Sequence, residues 1–210
     1  MPMALLIGVS IFLSYLLGSI PTGFLAGKLL KNIDIRQHGS KNMGATNVFR
    51  TLGKGPGIVV LLIDILKGFI PVIVISHLMT INDPFLLVIA GVAVVAGHNW
   101  TIFLKFQGGK GVATTLGVLI GLSMVIVGMR QVLLLTLGVW LCLFLPTGYV
   151  SLASIGASVA LPILMVAFNA PIAIKTMSIF LCLFVVFRHR ANISRLAKGQ
   201  ENRIKLPYFK

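Results

Sequence analysis

Apolar residues occupy long uninterrupted blocks of this chain, and the polar residues collect at the seams between them. A helix rises 1.5 Å per residue, so about 20 apolar residues cross the hydrocarbon core of a bilayer. Cutting the chain at its charges and turn formers predicts seven such spans: Ala4 to Gly27, Ile58 to Leu78, Phe85 to Phe103, Val112 to Met129, Val132 to Leu145, Val150 to Phe168 and Ile172 to Phe187. The fifth is the shortest, and six spans is the alternative. It is kept because residues 131–174 carry no formal charge, while Pro146, Thr147 and Gly148 offer a turn between two crossings. The apolar start, Met1 to Leu17, has no basic leader region and no small-residue cleavage site, so it is expected to stay as part of the first span. The pattern predicts an all-α integral membrane protein with seven transmembrane helices, one domain over residues 1–210.

Composition agrees with the pattern and adds an orientation. Hydrophobic residues make up 57% of the chain and charged residues 10%, whereas about a quarter of a soluble domain is charged. Mean hydropathy is +1.01. The 18 lysines and arginines outnumber 4 acids. With seven spans, all of them except Arg130, Lys175 and the span-embedded Lys67 fall on one face, in a set running from Lys28 to Lys205 and Lys210. Basic residues mark the cytoplasmic side of short loops. The N-terminus is therefore expected outside, the C-terminus in the cytoplasm, and the polar stretches on the cytoplasmic face.

Inside the second span, Asp64 and Lys67 are three residues apart on one helical face and are expected to pair. An unpaired charge at that depth costs about 2.5 to 3.5 kcal/mol on insertion scales. A role toward substrate or a proton is the alternative. Cys142 and Cys182 sit in apolar runs and read as packing residues, not as a disulfide or metal ligands. From Ala191 the tail reads as a short basic surface helix, attracted to anionic lipid heads.

Three polar stretches have to carry any function. The first, G-S-K-N-M-G-A-T-N-V-F-R from Gly39 to Arg50, reads as a binding loop. Its glycines, with Gly53, Gly55 and Gly57 beyond, let the backbone turn N–H groups toward a ligand. Ser40, Asn42, Thr46 and Asn47 add neutral donors, and Arg50 supplies a planar fork suited to phosphate. The second stretch, Gly97 to Gly111, sets Lys110 among Gly108, Gly109 and Gly111 just before a helix, whose N-terminus favours an anion. It is not a Walker loop, because Gly111 stands where Ser or Thr belongs. A solvated basic turn explains either stretch alone; two on one face point to an anion, most simply phosphate.

The third stretch, R-H-R-A-N-I-S-R from Arg188 to Arg195, ends the last span. On a helix His189 and Asn192 share a face, with Arg188 beside them. A histidine at a membrane boundary is commonly an interfacial residue, and His98 beside Trp100 reads that way. The company of Asn192 and Arg188 favours a functional role for His189. Tyr149, Ser151 and Ser154 form a polar cluster that could cap a helix start, with Ser154 either a packing residue or a ligand donor.

G-S-I-P-T-G at Gly18, G-S-x-N-x-G-A-T-N-V-x-R from Gly39, G-H ahead of F-x-G-G-K-G-V-A-T, and R-H-R-x-N-I-x-R from Arg188 occur in that order. Together they resemble the PlsY family of bacterial acyl-phosphate glycerol-3-phosphate acyltransferases, over almost the whole chain. The resemblance implies transfer of a fatty acyl group from acyl phosphate to the 1-hydroxyl of glycerol 3-phosphate. The products would be lysophosphatidic acid and phosphate, made at the cytoplasmic face of a bacterial inner membrane. By resemblance, Ser40, Arg50 and Lys110 hold phosphate, and Ser154, His189 and Asn192 surround the glycerol phosphate. Asn42 and Thr46 are further substrate-binding positions, and Ser40, Arg50, Lys110 and His189 are the implied catalytic set. The implied partners are the two substrates and the lipid bilayer, with no metal, cofactor, nucleic acid or protein partner.

An acyl phosphate is already activated, so the protein has mainly to bind two phosphates, exclude water and hold a hydroxyl near a carbonyl. Acyltransferases drawing on thioester donors usually show H-x-x-x-x-D. No histidine here has Asp five residues on; His77 and Asp83 are six apart and on the face opposite the basic loops. The competing reading is a carrier of small phosphorylated solutes, which the lack of matching halves weakens. The charge bias predicts that single cysteines placed at 130 and 175 react with an impermeant thiol label in intact cells, while one at 110 does not. Labelling at 110 but not at 175 overturns the topology.

Overall fold

The computed structural model describes residues 3–78 and 84–204. Met1, Asp83, Lys205 and Lys210, named above, lie outside the described residues. The chain divides into two compact units, Met1–Ile126 and Val127–Lys210. Every regular element among the described residues is a helix. In the first unit these are α1 (Met3–Ser19), α2 (Thr22–Lys31), a 3₁₀ turn (Ile35–Gln37), α3 (Ala45–Leu52), α4 (Lys54–Leu78), α5 (Pro84–Asn99), a second 3₁₀ turn (Ile102–Leu104) and α6 (Val112–Val125). The second unit holds α7 (Met129–Thr147), α8 (Val150–Ala167), α9 (Ile172–Arg188) and α10 (Arg190–Ala197).

Among the described residues, 5 helical stretches are long and apolar enough to cross a membrane: Ala4–Lys31, Lys54–Leu78, Pro84–Leu104, Met129–Thr147 and Val150–Ala167. The α9–α10 pair, bent by 59°, makes up to 6 if it counts as one span. The helix α6 has 14 residues, about 21 Å at 1.5 Å each, which is short of a bilayer core. It stops before Met129, the expected end of the fourth span, because Ile126 turns extended and Gly128 takes φ +86 as the cap of α7. The first expected span is broken after Ser19, where Pro21 brings no N–H and α2 starts anew. At the expected turn of Pro146 to Gly148, α7 runs on to Thr147 and closes at Gly148, φ +69. Cys142 is exposed on the outer surface of α7, not packed as expected, and Cys182 is half-buried.

Lipid tails give helices no hydrophobic reason to associate, so close backbone contact through small residues does the work. In the first unit α4 and α6 meet at Gly68 and Gly117. A Cβ on Gly68 would overlap the carbonyl of Thr114, and one on Gly117 the carbonyl of Ile65. The pairing of α1 with α5 repeats this, with Gly18 against the Val94 carbonyl and Gly97 against that of Tyr15. Beneath the first two polar stretches a small apolar core gathers Ile35, Met43, Val48, Val60 and Leu104. In the second unit α8 packs between α7 and α9, and Trp140 stacks on Phe144 with ring centroids 4.7 Å apart.

This packing predicts that Gly117→Ala forces α4 and α6 apart, at the roughly 1 to 3 kcal/mol typical of overpacking. Gly138→Ala in α7, where a Cβ meets nothing within 4 Å, is the control. Thermal melts in detergent should show a clear drop for position 117 and none for 138; equal melting temperatures would refute the close contact.

Candidate active site

The first polar stretch is half loop and half helix, and a single buried side chain organises it. Asn47, 1% exposed, donates through Nδ2 to the carbonyls of Ile35 (3.1 Å), His38 (3.0 Å) and Asn42 (2.7 Å). Its Oδ1 accepts the Ser40 N–H at 2.8 Å. Asn42 Oδ1 accepts the Gly44 N–H at 2.8 Å, and Gly44 caps α3. The N–H groups of Ser40 and Gly44 therefore hold the loop together, where the sequence reading had them turned to a ligand. The half-buried side chains of Ser40, Asn42 and Thr46 and the exposed Arg50 are arranged along this frame. Nearby Arg36 is committed to Asp34, with Nη2 2.8 Å from Oδ2, and lies over the Phe24 ring at 5.2 Å. The Arg36 hydrogen bond holds the Asp34 carboxyl below the usual carboxylate range.

In the second stretch the glycines also serve packing first. The Gly108 N–H donates to Asn99 O at 3.1 Å and the Gly109 N–H to His98 O at 2.9 Å, folding the loop back on the end of α5. A Cβ on Gly109 would overlap the His98 ring at Nε2, and Gly111 at φ +76 begins α6. His98, expected at the interface, is instead 3% exposed. Lys110 is half-buried. Leu104 shares the apolar core with Met43 and Val48, so the first and second stretches rest on common ground in this unit. A cleft of about 270 Å³ beside them is lined by Arg36, Phe103, Leu104, Lys105 and Gln107.

In the second unit the third stretch is not one helix. The chain breaks at His189, which ends α9 and begins α10. His189 and Asn192 are both buried, at 3% and 4% exposure. His189 Nδ1 lies 2.8 Å from Val185 O; a carbonyl only accepts, so Nδ1 carries the hydrogen and Nε2 is the acceptor nitrogen of the neutral ring. Tyr149 stands at the N-cap of α8, with no side-chain cap bond, and Ser151 and Ser154 bond elsewhere. Ser154 Oγ donates to Val150 O at 2.7 Å and receives Trp140 Nε1 at 3.3 Å, while Ser151 Oγ donates to Glu201 Oε1 at 3.0 Å.

Glu201, which belongs to none of the three polar stretches, holds this unit's polar residues in place. Its Oε1 also accepts Asn192 Nδ2 at 2.6 Å and its Oε2 accepts Arg195 Nε at 2.7 Å. A carboxylate accepts only, which sets the orientation of the Asn192 amide. The tail is drawn back further by Ile204 N–H on Gly148 O at 2.9 Å and by Arg203 stacked 4.7 Å over Tyr149. The signal in the sequence was rarity: Glu201 is one of only 4 acids in the chain. Of the expected site residues, Ser40, Asn42, Thr46, Arg50 and Lys110 belong to the first unit, and Ser154, His189 and Asn192 to the second.

Residues 8–199 match the family model described as Glycerol-3-phosphate acyltransferase. The chain belongs to the glycerol-3-phosphate acyltransferase family. The match runs through both units. A glycerol-3-phosphate acyltransferase of Prochlorococcus marinus (strain MIT 9312) is 45% identical over 196 residues, covering 92% of this chain and 95% of the relative. Two crystal structures of PlsY, an integral membrane glycerol 3-phosphate acyltransferase, are similar throughout. The glycerol 3-phosphate form superposes with TM-score 0.87 at 41% identity, covering 95% of this chain and 96% of that one. The lysophosphatidic acid form gives 0.84 at 40%, covering 95% of each. The acyltransferase is thus an all-α integral membrane protein.

Burial raises the Glu201 carboxyl, but the bonds from Asn192, Arg195 and Ser151 and the Arg195 charge outweigh it, leaving the group below the usual glutamate value. A depressed carboxyl adds stability above its unfolded value of about 4.3, and that stability is lost as pH falls through the folded value. Thermal melts of wild type should therefore drop on acidification below about pH 4.3. Glu201→Gln should melt lower at pH 7, and the gap should close in acid. Parallel pH dependences would show that Glu201 holds nothing.

Proposed function

We propose that this acyltransferase takes its acyl group from acyl phosphate and passes it to the 1-hydroxyl of glycerol 3-phosphate. It would do so as a single functional domain of seven crossings in a bacterial inner membrane, with its site on the cytoplasmic face. The observation that carries the reading is the shared footing of two cation-bearing stretches, with Arg50 on α3 and Lys110 ahead of α6, over one apolar core. Cations placed where charge develops on leaving phosphate are what a mixed-anhydride donor requires. We assign Ser40, Arg50 and Lys110 to holding phosphate, with Asn42 and Thr46 alongside. Ser154, His189 and Asn192 are assigned to the glycerol phosphate.

In the reaction, the 1-hydroxyl oxygen attacks the acyl carbon and the carbonyl oxygen takes up negative charge. Collapse of that adduct breaks the bond to the phosphate oxygen and releases inorganic phosphate. The hydroxyl proton passes to a substrate phosphate, whose second ionisation lies near pH 6 and suits it to the task. His189, with Nδ1 fixed on Val185 O, orients the glycerol phosphate and leaves the reacting proton to the phosphate. Asn192, held by Glu201, lines the same polyol. The donor is already activated and the acceptor already charged, so positioning is the protein's main contribution.

The test uses purified protein in detergent. Acyl phosphate with glycerol 3-phosphate should yield lysophosphatidic acid and phosphate without a membrane gradient, and acyl-CoA should not substitute. Equal turnover from acyl-CoA refutes the donor. Arg50→Ala and Lys110→Ala should each leave a folded protein and lower kcat/KM by tenfold or more, since a charge-assisted bond is worth about 1.5 to 3 kcal/mol. Unchanged activity in both removes these residues from the site.

A further inference from the structure

The G-S-I-P-T-G motif, the Asp64–Lys67 pair and His98 stand outside the machinery above, yet they meet at one buried point of the first unit. Past the end of α1, two carbonyls at the break are answered by side chains from elsewhere. Thr101 Oγ1 donates to Ser19 O, and Lys67 Nζ donates to Ile20 O at 3.1 Å. Beyond the break, Thr22 Oγ1 donates to Asp64 Oδ1 at 2.6 Å. That same oxygen pairs with Lys67 Nζ at 2.9 Å and lies 3.6 Å from His98 Nδ1. Asp64, Lys67 and His98 are 1%, 3% and 3% exposed. The other edge of the imidazole, at Nε2, packs on Gly109 so closely that no Cβ fits. The His98 carbonyl accepts the Gly109 N–H at 2.9 Å. One imidazole thus lies between a buried carboxylate, 3.6 Å from its Nδ1, and the residue before Lys110.

We propose that Asp64, acting through His98, is a positioning residue for Lys110. The carboxylate fixes the imidazole, the imidazole sets the path of Gly109, and the Lys110 ammonium is thereby held for phosphate. This rests on the phosphate-holding role given to Lys110 above. A simple ion pair within α4 would satisfy the demand that hydrocarbon makes on two charges. It would not call for a ring set between that pair and the glycine loop, nor for the loop to close on the ring's own carbonyl.

The test is a double-mutant cycle in kcat/KM with acyl phosphate and glycerol 3-phosphate, on purified protein in detergent. Asp64→Leu with Lys67→Met removes both charges together and strands neither. His98→Gln keeps both charges and removes only the ring. Each should lose roughly 10- to 100-fold in kcat/KM, chiefly through KM for the phosphate-bearing substrates, while staying monodisperse. Each should also add little to the loss already present in a Lys110→Ala background. Losses that multiply with that of Lys110→Ala, or a wild-type KM in either variant, overturn the proposal. If Lys110→Ala alone leaves kcat/KM unchanged, the role of Lys110 itself has failed and the inference falls with it. Should the charge-free pair not yield folded protein, His98→Gln decides alone.

Discussion

A charge carried into hydrocarbon has to be met by its opposite at close range, and in the first unit that demand falls on Asp64 and Lys67. Their 2.9 Å contact does not use up either group. The carboxylate still takes the Thr22 hydroxyl, and the ammonium still reaches the Ile20 carbonyl. Those added bonds are what allow α1 and α2 to part in the middle of an apolar stretch. A buried carbonyl without a donor costs about 1 to 3 kcal/mol, so the break after Ser19 depends on the pair as much as the pair depends on the break. Tyr15, whose hydroxyl donates to Trp100 O at 2.7 Å, and Thr101 extend the same tie to the end of α5.

Size, more than conformational freedom, explains most glycines in the polar stretches. Gly108 and Gly109 bring the second loop against His98 and Asn99, and Gly23 brings α2 against the carbonyl of Met43. The N–H groups of Gly108 and Gly109 donate to the carbonyls of Asn99 and His98. Under the proposed function, ligand recognition falls to side chains carried on this backbone, which suits a site that gains its rate from fixed geometry. The second unit reaches a comparable rigidity by another route. There Glu201 gathers Ser151 from α8 and Asn192 and Arg195 from α10, and the break at His189 turns the histidine inward.

Hydrophobic blocks were enough to determine the membrane class of this protein and its helical content, and four ordered motifs its acyltransferase family, because each is a local property of the chain. The Asp64–Lys67 pair was legible for the same reason: a spacing of three on a helix leaves the side chains little choice. What tertiary structure decided were the partners of polar groups. His98 reads as interfacial from its neighbours, yet it is buried between the Asp64 carboxylate and the backbone of Gly109. Asn47 reads as one donor among several, and only the folding back of Ile35 to Asn42 makes it the centre of the loop. Glu201 lies nine residues beyond Asn192, a separation at which no helical or strand period links two side chains, so its place depended on the return of the tail. Helix ends were likewise settled by cap geometry at Pro21, Gly128 and His189, since hydropathy reports which solvent a residue prefers and says nothing of where a backbone turns.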